Sequence, residues 1–173
     1  TNTSYAFNTT HTTGTDTNRL MIVMLSTVGR VPTGITYDGD ALTKVEEANN
    51  GNYYSSIWYR VAPATGSNTL VTTFGADSSA DTAAELTVTT LFGVDQSSPV
   101  GTDVEQTGND TAPSVDVTTT VGDLVFDVIA GDGDNESGGY VASSVPGTGQ
   151  TELIDTVDLS SREVFHTLSL IHI

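Results

Sequence analysis

Three carboxylates at alternate positions, Asp132, Asp134 and Glu136, lie on the glycine-rich stretch Asp132-Gly133-Asp134-Asn135-Glu136-Ser137-Gly138-Gly139. Hard oxygen ligands at that spacing can converge on calcium. The stretch departs from the EF-hand loop, because Ser137 and Ser143 stand where that loop has its glycine and its closing glutamate. A solvated turn in an acidic chain is the simpler reading, and calcium at these three residues is the alternative to it. Tyr37-Asp38-Gly39-Asp40 also gathers carboxylates, but Asp-Gly between two strand-like segments is the signature of a hairpin tip.

A second chemistry belongs to aromatic rings. A flat apolar ring stacks on the C–H face of a pyranose, and Trp58, Tyr53 and Tyr54 form the cluster that would bind carbohydrate in this way. The strand pattern argues the other way. Ile57 and Tyr59 fall on one face and Trp58 on the other, which sets this strand between two apolar layers and makes Trp58 a core residue.

The remaining candidates weaken on inspection. His166 and His172 stand too far apart along one strand for a two-histidine zinc pair, and His11 is isolated. There is no cysteine, hence no disulfide and no thiolate. No Gly-x-Ser-x-Gly elbow appears. Among 22 Asp and Glu some pairs, such as Glu46-Glu47 or Asp103 with Glu105, fall within glycosidase distance by chance. No catalytic residue is therefore assigned, and the chain reads as a non-enzyme. Asn2-Thr3-Ser4, Asn8-Thr9-Thr10, Asn109-Asp110-Thr111 and Asn135-Glu136-Ser137 fit the glycosylation sequon, as Ser/Thr-rich sequences readily do.

These residues must be positioned by strands. About 30 threonines, with many valines and glycines, suit pleated half-buried strands and disfavour helices. Leu86, Val88, Thr90, Phe92 and Val94 alternate with Glu85, Thr87 and Thr89. The same period of two marks Val115, Val117, Thr119 and Val121, then Leu124, Phe126, Val128 and Ala130. Turn clusters such as Asn49-Asn50-Gly51-Asn52, Pro63-Ala64-Thr65-Gly66 and Gly131-Asp132-Gly133-Asp134 separate the runs. Strands are expected near 4–9, 19–28, 34–38, 41–48, 53–62, 69–75, 85–94, 113–121, 123–131, 151–158 and 163–173, with 34–48 readable as one bent hairpin. The pattern predicts an all-β, antiparallel two-sheet sandwich, jelly-roll-like, of about nine to ten strands. Residues 78–84 are the one place for a helical turn. The chain reads as a single domain over 1–173, with 1–12 an N-terminal arm or an edge strand.

Charge narrows the partners. With 5 Lys and Arg against 22 Asp and Glu the net charge is −17, and Arg19, Arg30, Lys44, Arg60 and Arg162 are scattered singly. That excludes the basic cluster that nucleic acid requires. The six-residue apolar run Leu20–Leu25 is far short of the roughly 20 residues that span a bilayer, so no membrane insertion is expected. Thr1 opens the numbering, which fits the removal of an initiator Met or of a signal peptide.

Asn18-Arg19-Leu20-Met21-Ile22-Val23, then Gly34-Ile35-Thr36-Tyr37-Asp38-Gly39-Asp40-Ala41-Leu42-Thr43, then Ile57-Trp58-Tyr59-Arg60-Val61-Ala62-Pro63-Ala64-Thr65-Gly66 form an ordered series. Phe92-Gly93-Val94-Asp95-Gln96 with Pro99, and Gly122-Asp123-Leu124-Val125-Phe126-Asp127, follow. This series resembles a family of jelly-roll β-sandwich domains found in bacterial and archaeal surface proteins and in phage structural proteins. The resemblance runs from about residue 15 to 131 and departs at the closing strand Val164–Ile173. It implies a fold and a setting, extracellular or on a virion surface, and brings no catalytic residues. The expected function is a structural subunit of a filament, fibre or capsid decoration, whose partners are copies of itself or other particle subunits. The alternative is a carbohydrate-binding module, with glycans as partners and calcium as its one candidate cofactor.

Overall fold

The computed structural model describes residues 5–77, 82–108, 114–132, 151–158 and 163–172. They form eleven strands in chain order: β1 (Tyr5–Thr13), β2 (Leu20–Val28), β3 (Arg30–Tyr37), β4 (Asp40–Ala41), β5 (Thr43–Asn50), β6 (Tyr53–Val61), β7 (Gly66–Asp77), β8 (Ala83–Leu91), β9 (Leu124–Asp132), β10 (Thr151–Asp158) and β11 (Glu163–His172). One four-stranded sheet has the order β1-β7-β3-β4 and a second the order β5-β6-β2-β8, every pair antiparallel. Their facing sides make the β-sandwich that the strand pattern predicts. A third sheet, β10-β11-β9, lies against the outer side of the second.

The middle position of the second sheet explains its most apolar strand. β2 is buried at all of its nine positions, because Met21, Val23 and Leu25 enter the core shared with Ile35, Tyr37, Leu70 and Phe74. Leu20, Ile22 and Met24 point the other way, against Ile57, Tyr59, Val61, Phe126 and Val128. A strand covered on both faces reads as a continuous apolar run rather than an alternating one. β6 has the same position, which puts Trp58 in the first cluster and Ile57 and Tyr59 in the second. Ser26 fastens the outer sheet, its hydroxyl donating to the Ile129 carbonyl at 3.0 Å.

The chain changes sheet at short corners. Gly29, at φ 65°, is all that separates β2 from β3, and a left-handed backbone there suits glycine. The neighbouring Thr27 hydroxyl donates to the Arg30 carbonyl at 2.6 Å. Asp38 (φ 51°) and Gly39 (φ 83°) form the expected hairpin tip, both with the positive φ of a type I′ turn. The 34–48 region is two elements beyond that tip. β4 stays with the first sheet, Leu42 sinks into the core at the corner, and β5 joins the second sheet.

Two strand expectations need correction. Residues 114–120 form no strand, although Val115, Val117 and Thr119 alternate. Val115 is 45% exposed and Val121 93% exposed, so both ends of this apolar face are open to water, and 114–120 pairs with no strand among the described residues. The segment ends in a turn at Gly122, where Asp123 accepts from the Thr120 amide at 2.7 Å and from its hydroxyl at 2.9 Å. The second correction concerns β8, which stops at Leu91. Phe92 is therefore exposed, and Val94 packs with the outer cluster instead of sharing a face with Leu86 and Val88.

Candidate functional site

Trp58 and Tyr54 are buried, at 4% and 6% exposure, and Tyr53 is half-buried. The Trp58 indole N–H donates to Ser56 Oγ at 2.9 Å, and the Lys44 ammonium lies 5.1 Å from the ring centroid. The ring thus fills the sandwich core and presents no open face on which a pyranose would stack. The three aromatics come from one strand, and its alternation buries Tyr54 and Trp58 on one face and sets Tyr53 on the other.

Of the calcium candidates, Asp132 is the last residue of β9 and pairs in register with Glu163 of β11. Asp134 and Glu136 lie outside the described residues, as does most of the 78–84 segment. Among the described residues no three His, Asp or Glu side chains converge on a metal position.

What the structure does bring together are the motif residues, at one end of the sandwich. Arg19 donates through Nε to the Pro63 carbonyl at 3.2 Å and through Nη1 to the Asp16 carbonyl at 2.8 Å. The Ala62 amide donates to the Arg19 carbonyl at 3.0 Å, and the Gly93 and Val94 amides donate to Thr17 and Asn18 carbonyls at 3.2 and 3.0 Å. Asn18 and Ala62 hold positive φ, 54° and 47°, which Asn tolerates better than Ala. The Asn-Arg-Leu, Ala-Pro and Phe-Gly-Val pieces are therefore one closing joint, with the chemistry of hydrogen-bonded loops.

A second joint holds β1. Tyr37, buried on β3, reaches under β7, so that its hydroxyl lies 3.0 Å from the His11 carbonyl oxygen, 3.1 Å from that of Gly66 and 3.1 Å from the Thr13 hydroxyl. His11 Nε2 is 2.9 Å from Thr90 Oγ1, which ties β1 to β8 of the opposite sheet. Burial favours the uncharged imidazole and lowers the His11 pKa from its ordinary value.

Toward the start of β1 the two sheets part. A groove of about 190 Å³ opens there, lined by Tyr5, Phe7, Arg30, Phe74, Thr82 and Ala83. The Arg30 guanidinium sits 4.2 Å from the Tyr5 ring centroid and donates to Thr82 Oγ1 at 3.2 Å. Tyr5 and Phe7 are 49% and 43% exposed, although they share the inward face of β1 with His11 and Thr13. Half-covered aromatic rings beside a sheet edge are the feature that the sequence reading missed. Its only signal was the pair Tyr5 and Phe7 at a spacing of two. No family model, curated protein or solved structure matches the chain.

Proposed function

We propose that this chain is a non-enzymatic structural subunit of a self-assembling extracellular or virion surface structure: a filament, a fibre or a capsid decoration. The observation that carries the reading is where the chemistry-bearing side chains go. Trp58 and Tyr54 fill the core, Arg19 and Tyr37 join strands across loops, and Ser26 joins sheet to sheet. A multilayered block with a threonine-rich, acidic surface suits a building element that stays soluble until it meets its lattice. The burial of Trp58 weighs against the carbohydrate-binding alternative, since that reading needs the ring in solvent.

Size-exclusion chromatography with light scattering, backed by negative-stain microscopy, tests the proposal. Regular particles or filaments are expected as concentration and salt rise. A protein that remains an 18.0 kDa monomer across those conditions and binds an immobilised glycan panel would overturn it.

A further inference from the structure

Resting on that reading, we infer that β1 is the docking edge of the subunit and that its occupant is β1 of a second copy, paired antiparallel about a two-fold axis. β1 stands at the end of its sheet and pairs with β7 over nine consecutive residues without a register shift. One side of its backbone thus offers a straight ladder of amides and carbonyls that meets no strand among the described residues. Tyr37 and His11 hold this edge against the body of the sandwich, so it is a fixed template and not a loose arm.

The other edges carry the devices that keep strands apart. β5 has Lys44, Glu46, Glu47 and a bulge between Lys44 and Glu46. β10 has Glu152, Asp155, Asp158 and a bulge after Glu152. β8 carries Glu85, β9 carries Asp127 and Asp132, and β4 carries Asp40. The part of β3 beyond β4 contains Pro32 and two register shifts. β1, Tyr-Ala-Phe-Asn-Thr-Thr-His-Thr-Thr, has no Asp, Glu, Lys, Arg or Pro.

That contrast selects the occupant. Antiparallel two-fold pairing sets residues placed symmetrically about the axis opposite each other, so an edge with several carboxylates brings like charges face to face, and like charges opposite each other destabilise a ladder. In a molecule of net charge −17, β1 is the edge among the described strands that brings no Asp, Glu, Lys or Arg to such a pairing in any register. A second copy also covers the exposed rings of Tyr5 and Phe7, which the monomer leaves beside the groove.

The test uses exposed positions whose side chains make no bond that holds β1. The double variant Asn8→Glu/Thr10→Glu and its counterpart Asn8→Lys/Thr10→Lys are compared with the unmodified protein by light scattering, with melting curves to show that each is folded. Each double variant alone is expected to lose association at least tenfold, and an equimolar mixture of the two is expected to regain it, because opposite charges then face across the ladder. If both variants associate like the unmodified protein, the docking edge lies elsewhere while the subunit reading stands. If they disperse and the mixture does not recover, β1 does not pair with β1. An unmodified protein that never associates removes the subunit reading, and this inference with it.

Discussion

Thr72 sits fully buried on β7, and its hydroxyl oxygen has no hydrogen-bond partner among the described residues. Burying a hydroxyl without a partner costs about 1–3 kcal/mol. Thr72→Val keeps the shape and removes that cost, so it should raise the unfolding free energy by about 1 kcal/mol in urea titration. An unchanged or lower midpoint would mean that a hidden partner satisfies the oxygen. Trp58 gives the opposite sign: its truncation to Ala leaves a void in the core and should cost about 3–5 kcal/mol. His11 adds a pH effect. Its folded pKa lies below the unfolded value of about 6.5, so the unfolded chain takes up the proton first as pH falls. The stability tied to the neutral ring is complete above about 6.5 and is lost as pH drops from there toward the folded value. Between pH 7.5 and 5.5 the protein should therefore lose more melting temperature than the His11→Gln variant. Parallel pH slopes for the two would show that His11 contributes none of the dependence.

At the scale of elements, one phenol clamps β1 beside its ladder to β7 and its His11–Thr90 contact. Tyr37→Phe keeps the buried ring and deletes the hydroxyl shared by the His11 and Gly66 carbonyls and Thr13. The expected cost is about 1–2 kcal/mol, and amide hydrogen exchange should localise it: β1 amides should exchange about tenfold faster, while β2 and β6 stay protected. Uniform acceleration would mean that the phenol supports the whole core instead. This clamp was not legible in the sequence, because it joins residues 26 and 29 positions apart through the fold, and no local pattern encodes such a reach. Local patterns did mark what depends on local geometry. The Asp38-Gly39 tip follows from its two left-handed residues, and the split of Trp58 from Ile57 and Tyr59 follows from alternation. The alternation at 115–121 misled for the converse reason: a period of two states which side chains share a face, and a strand also needs a neighbour to bond. The third sheet was half visible, since a continuous apolar run such as Leu20–Leu25 on β2 demands cover on both faces. The calcium and sugar candidates were chosen by residue type and local spacing, which do not state burial or what converges in the fold. Burial removed the stacking face of Trp58, and of the calcium set the described residues place only Asp132, on β9.

For the whole molecule the dominant quantity is the net charge of −17. The described structure offsets little of it, with ion pairs at Lys44–Glu47 (2.9 Å) and Arg60–Asp40 (2.7 Å), both partly open to water and each worth at most about 1 kcal/mol. The remaining carboxylates repel one another in the compact state and again between copies. Salt weakens both effects, because the screening length shrinks from about 30 Å at 0.01 M to about 8 Å at 0.15 M. The melting temperature and the association constant should both rise over that range. Screening depends on ionic strength alone, whereas a calcium site at Asp132, Asp134 and Glu136 would respond to the ion itself. Calcium chloride and sodium chloride compared at equal ionic strength therefore separate the two. Equal melting temperatures in both salts would assign these carboxylates to solubility. A further rise with calcium that is reversed by chelator and lost in Asp134→Asn would make these carboxylates a metal site that stabilises the folded subunit.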